Sequence, residues 1–181
     1  MARITKIEQG IIDAGALRIA EFTTHGGESA NYRVEMEDIL GEDSSHRELR
    51  GMIVDRLARK LEPYEPEVII PIPEGANHLG AMIALRLGVR VVYLAWRDKA
   101  ARQFQYRDQH NRIVVNRAVR VALIDDVYTS GLSLEEAAEF TELDGKQVVG
   151  GIVFDRSASK VRKASPYPIE SVVSRHLPLR V

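Results

Sequence analysis

Cysteine is absent from the 181 residues, which excludes disulfides and thiolate metal sites. An excess of either charge is missing too, since 25 Lys and Arg face 26 Asp and Glu for a formal net charge of -1. Without a global positive field there is little to recruit a phosphate backbone, which argues against a nucleic-acid-binding protein. Long apolar runs are lacking. The first residues mix Arg3, Lys6, Glu8 and Asp13 among apolar neighbours, so nothing reads as a signal peptide or a membrane span, and a soluble cytoplasmic protein is the expectation. There is no internal repeat or low-complexity tract. No P-loop glycine-lysine motif occurs, which disfavours a sugar-phosphate kinase. The proline-rich Glu62-Pro63-Tyr64-Glu65-Pro66 is short enough to join a helix to a strand.

What is present is an alternation of strands and helices. This pattern predicts an α/β fold, a Rossmann-like parallel sheet flanked by helices, in one domain with a sizeable core. Ser45-His46-Arg47-Glu48 reads as a capping box, followed by a buried stripe at Leu49, Ile53, Leu57 and Leu61 and a stop near Pro63. The expected succession is then a strand at Val68-Ile69-Ile70, a helix over 75–87 and a strand over 89–95. After it come a strand over 118–124, a helix over 134–143 ended by Asp144-Gly145, a strand over 148–154 and a last one near 169–173.

Within this frame VALIDDVYTSGLS, residues 121–133, carries the chemistry. Four apolar residues form a strand buried on both faces, so Asp125 and Asp126 fall at its carboxyl end, where open parallel sheets bind ligands. Thr129, Ser130, Gly131, Leu132 and Ser133 follow. They supply hydroxyls and, through the curvature that Gly131 permits, a row of amides able to cradle a phosphate. Ser133 suits a helix N-cap with Glu136 closing a capping box, which would aim the helix dipole at that phosphate. In isolation an acidic pair can simply end a strand in a solvated turn; strand, acids, hydroxyl-glycine turn and helix in register favour a sugar-phosphate site.

This motif resembles the signature of the type I phosphoribosyltransferases: two acidic residues, two spacers, then Thr-x-Gly-x-Ser/Thr. The resemblance implies that fold, binding of 5-phosphoribosyl-1-diphosphate (PRPP), Asp125 and Asp126 on the ribose hydroxyls directly or around a metal, and 129–133 around the 5-phosphate. It also implies Mg2+, held mainly by diphosphate and ribose oxygens. Glu74, Gly75 and Ala76, with Asn77, stand where that family's strand-end loop contacts the diphosphate, often through an unusual backbone conformation. An ordinary strand-to-helix turn would use the same residues.

A further likeness, to orotate phosphoribosyltransferases, extends over about 15–156. Gly15-Ala16-Leu17 through Phe22-Thr23-Thr24-His25-Gly26-Gly27 is similar to that branch's N-terminal segment, Tyr32 matches its tyrosine, and Asp155-Arg156 its Asp-Arg pair, whose arginine reads the base. A bidentate guanidinium suits a planar base with paired oxygens. The likeness implies base contacts from Arg156, His25 and Tyr32 and a small hood from 1–40. His25 stands where the branch has lysine, and as residue chemistry it equally fits a surface histidine in a glycine-rich turn. Arg33 and Val34 replace two aromatics, so the departures fall on base and diphosphate contacts rather than on the sugar. The polar stretch 97–117, bearing Arg97, Lys99 and Arg102, resembles the branch's mobile basic loop: a lid over the diphosphate, shared with a neighbouring subunit and so implying a homodimer. A solvated hairpin is the alternative. The function expected is transfer of phosphoribose from PRPP to orotate or a related base with release of pyrophosphate, in nucleotide and pyrimidine metabolism. A regulator that keeps the PRPP pocket but has weak or no activity is the other reading.

Overall fold

The computed structural model describes residues 5–23, 29–41, 44–156 and 165–174. Its frame is a five-stranded sheet of β3 (Val68–Pro71), β4 (Arg90–Val91), β7 (Arg120–Tyr128), β8 (Gln147–Asp155) and β9 (Ile169–Ser174), in the order β4-β3-β7-β8-β9. Every pairing is parallel. The apolar runs that define β3 and β7 are continuous because both faces are covered. Ile69, Ala122 and Ile124 belong to one buried cluster, whereas Val68, Ile70, Val121 and Leu123 belong to a second, as the two-residue period of a strand demands.

The first cluster is closed by α1 (Lys6–Asp13), α3 (Arg47–Leu61) and α4 (Asn77–Leu87). It also takes Val34, Met36, Ile39 and Leu40 from an N-terminal appendage, in which β1 (Leu17–Thr23) pairs antiparallel with β2 (Ser29–Val34) and leads to the single turn α2 (Glu37–Leu40). The second is closed by α5 (Gln109–Arg117), α6 (Leu132–Phe140) and the antiparallel hairpin of β5 (Leu94–Asp98) and β6 (Gln103–Tyr106). Trp96 stacks on Phe104 with centroids 4.3 Å apart, and Phe104 and Tyr106 meet Phe140 of α6 at 6.0 and 5.1 Å, which fixes the hairpin to the body.

Several expectations are corrected. Residues 89–95 are not one strand: β4 stops at Val91, and β5 begins at Leu94 in the hairpin. The carbonyl of Ile69 accepts from Val92 on the β4 side, and the next residue on that side, Pro71, has no N–H with which to continue the ladder. The stretch 97–117 is no long loop either. Its apolar members Phe104, Val114 and Val115 are buried, and it folds as hairpin and helix with only a short tip between Asp98 and Gln103. Helix α3 starts without the expected box: a 3-10 turn over Ser44–His46 leads in, and the cap residue His46 makes no side-chain cap bond. The capping box that does form lies in α1, between Thr5 and Glu8.

Candidate active site

Strand order reverses between β3 and β7, so the loops leaving their carboxyl ends diverge and open a crevice. A cleft of about 490 Å³ lies there. Asp125 and Asp126 are still in strand conformation at its floor, since β7 runs on to Tyr128 beside β8. Each carboxyl is aimed locally: Asp125 Oδ1 accepts the N–H of Asp126 at 2.9 Å, and Asp126 Oδ1 accepts that of Val127 at 2.8 Å. Burial, and then the adjacent Asp126 charge, hold the half-buried Asp125 carboxyl well above the ordinary carboxylate range.

The loop after β3 comes up against this pair. A Cβ on Gly75 would stand 2.9 Å from Asp126 Oδ2, so any side chain there would push the Asp126 carboxyl from its place. The Pro73–Glu74 peptide is cis. Trp96 Nε1 donates to the Pro73 carbonyl at 3.1 Å, tying the hairpin to the same loop.

After β7, Gly131 turns the chain at φ +87°, with the Tyr128 ring filling the space that a Cβ would need. Its carbonyl accepts the N–H of Leu134 and Glu135, so α6 opens at Leu132, whose own N–H goes to Ser130 Oγ at 3.4 Å, and the helix N-terminus is turned to this loop. This corrects the expected cap: Gly131 is the N-cap, without a side-chain bond, and Ser133 lies in the first turn. The helix also ends at Phe140, ahead of Asp144-Gly145. Glu136 is held instead by Arg102, whose Nε donates to both its carboxylate oxygens at 2.7 and 2.8 Å, while Arg102 NH2 reaches Ser133 Oγ at 3.3 Å.

Most of the residues singled out from sequence converge. Glu74, Gly75, Lys99, Arg102, Asp125, Asp126, Thr129, Ser130, Gly131, Leu132, Ser133 and Arg156 all line the one cleft. Two do not. Ala76 is fully buried, its N–H spent on the Ile72 carbonyl at 3.3 Å, and Arg97 stands exposed on β5 outside the cleft, because strand alternation turns it away from the side of Trp96. Tyr32 lies in β2 opposite Ile19, and His25 falls outside the described residues. Sequence reasoning missed Trp96, Glu136 as the partner of Arg102, and the wall of Val34, Glu35, Met36 and Glu37. The lone tryptophan beside a strand end was a usable signal; a partnership across 34 residues was not.

Two adjacent carboxylates at a cleft floor offer hard oxygen donors that suit magnesium, and no group of three or more His, Cys, Asp or Glu among the described residues forms a closed cage. No helix among them is long and apolar enough to cross a membrane.

No family model matches the chain. The orotate phosphoribosyltransferase of Pyrobaculum aerophilum is 28% identical over 144 residues, 80% of this chain and 70% of that protein. Among solved structures, the orotate phosphoribosyltransferase of Aeropyrum pernix superposes with a TM-score of 0.67 at 19% identity, covering 93% of each chain. The adenine phosphoribosyltransferase of Rhodothermus marinus gives 0.63 at 18% identity, covering 92% of this chain and 99% of that one. The structural likenesses speak for the fold.

Proposed function

We propose, from the chain's membership of the type I phosphoribosyltransferase family, that it joins a nitrogenous base, orotate or a related one, to PRPP with release of pyrophosphate. The observation that carries this reading is the meeting of three parts in one cleft: paired carboxylates, hydroxyl-rich turn at a helix N-terminus, and the Glu74–Gly75 loop pressed on Asp126. Along that cleft the turn 129–133 would hold the 5-phosphate, Asp125 and Asp126 the ribose hydroxyls, and Glu74, Gly75 and Lys99 the diphosphate. Arg156 would orient the base, with His25 and Tyr32 of the hood, 1–40, beside it. The whole of 1–181 would act as one domain, with the hairpin and helix of 97–117 as its lid.

In the reaction the bond from C1 to the diphosphate oxygen breaks, its electron pair leaves with pyrophosphate, and a ring nitrogen of the base forms the new bond to C1. Positive charge develops on the sugar, and the carboxylates beneath it favour that charge while their backbone bonds keep them from reorienting. Holding base and sugar in one walled cleft supplies the orientation term. Asp125 and Asp126, with the donor's own oxygens, would hold Mg2+, which when bound supplies positive charge to the departing diphosphate. No protein nucleophile is needed. The same reading brings with it a cytoplasmic setting and a homodimer.

The test is release of pyrophosphate from PRPP with magnesium and a panel of bases, orotate first. Turnover with at least one base is the expected outcome. Tight PRPP binding with no turnover on any base would overturn the reading in favour of a regulator.

A further inference from the structure

Arg102 occupies a position that a lid over the diphosphate does not call for. It stands at the tip of the β5–β6 hairpin with φ +54°, and its NH2 lies 2.6 Å from Glu136 Oε2, in addition to the two Nε bonds. The two side chains are only 25% and 24% exposed, so the pair is shielded from the solvent screening that weakens surface ion pairs. Glu136 thus grips one edge of the guanidinium. The rest of the fork is turned to the phosphate turn: NH2 donates to Ser133 Oγ, and NH1 makes no hydrogen bond among the described residues. Ser133 and Glu136 are three residues apart on one face of α6, so the carboxylate suspends the cation above the first turn of that helix, at its positive end. The other end of the hairpin is tied to the diphosphate loop by the bond from Trp96 Nε1 to the Pro73 carbonyl. Asp125 is the further charge that the guanidinium feels.

Resting on the phosphoribosyl-transfer reading, we infer that Arg102 binds the 5-phosphate of the donor within its own chain, with Glu136 as the positioning residue that orients it. The phosphate takes NH1 and the NH2 hydrogen now on Ser133, while Glu136 keeps the Nε edge. Arg102 is thereby removed from the diphosphate set, which leaves Lys99 as the cation of the tip there.

The experiment titrates the full chain separately with ribose 5-phosphate and with pyrophosphate, using wild type, Arg102→Ala, Arg102→Lys and Glu136→Gln, each first checked for a native unfolding transition. Loss of a charge-assisted fork should weaken ribose 5-phosphate in Arg102→Ala by about tenfold or more and leave pyrophosphate within about twofold. Arg102→Lys should restore part of the loss. Glu136→Gln should raise KM for the donor roughly threefold with kcat unchanged, a split that a merely structural role would not give. The reverse pattern, pyrophosphate lost and ribose 5-phosphate retained, would overturn the assignment. Wild-type protein that bound neither ligand would take down the phosphoribosyl reading itself. Finally, Arg102→Ala chains co-refolded with Asp125→Asn/Asp126→Asn chains should regain no activity. Recovery in the mixture would mean that Arg102 serves the other subunit, against the inference.

Discussion

At Asp125 two demands on one side chain conflict. The proposed reaction calls for a carboxylate beside the sugar, yet burial and the Asp126 charge make ionisation costly there. A carboxyl whose pKa is raised by folding contributes most to stability in acid, below its unfolded value, and that contribution is lost as pH rises through the folded value. Asp125→Asn, which cannot ionise and keeps an oxygen for the Asp126 N–H, should therefore melt higher than wild type at neutral pH in the absence of ligands. The gain should be of order 1 kcal/mol, or roughly 2–4 °C, and shrink as the pH is lowered into the carboxylate range; thermal scans across pH read it directly. The same variant should lose donor binding. A more stable but inactive protein is the result that fits a strained functional carboxyl, and a lower melting point at neutral pH would contradict it. Arg156→Ala tests the other end of the cleft: KM for the base should rise tenfold or more, on the order expected for a charged hydrogen bond, with the donor KM little changed. Equal effects on both would remove Arg156 from the base.

At the scale of elements, the connections between strands matter more than the strands. Gly131→Ala would force a side chain into a positive-φ position and onto the Tyr128 hydroxyl, 2.5 Å from the added Cβ. A cost of about 1–3 kcal/mol is expected, together with loss of phosphate affinity, measured by unfolding and by ribose 5-phosphate titration. The hairpin offers an optical test, because Trp96 is the sole tryptophan and lines the cleft beside Pro73. Pyrophosphate binding should shift its emission; a flat titration in a protein that binds pyrophosphate by calorimetry would separate the indole from that loop. The elements also show what could be read in advance. The runs Val68–Ile70 and Val121–Ile124 announced buried parallel strands, and the acids and hydroxyl turn after the second announced the cleft, because these are local patterns. The hairpin escaped notice because its strands are short and polar on one side, with only Trp96, Phe104 and Tyr106 to pin it, and those pack on Phe140, distant in sequence. Glu136 had the right residue type for a cap, but Gly131 began the helix two residues early and a distant arginine took the carboxylate.

Across the whole molecule, two cores back to back carry one crevice at their shared edge. Leu57 and Leu61 of α3 are fully buried in the first, and truncating either to Ala should cost about 2–5 kcal/mol, seen in chemical denaturation. Met36 is almost as buried but belongs also to the cleft wall. Met36→Ala should therefore lower stability by a similar amount and in addition alter discrimination among bases, whereas Leu57→Ala should leave discrimination alone.

The wall at Val34 to Glu37 hangs from a two-stranded ribbon that, among the described residues, shares no pairing with the parallel sheet, while the acids stand in β7 and the hydroxyl turn follows directly from it. Such a molecule is modular in the sense that matters to descent and to engineering. Under the proposed phosphoribosyl transfer, libraries aimed at new acceptors belong at Glu35, Glu37 and Arg156, because Val34 and Met36 also pack in the first core, with position 75 left alone.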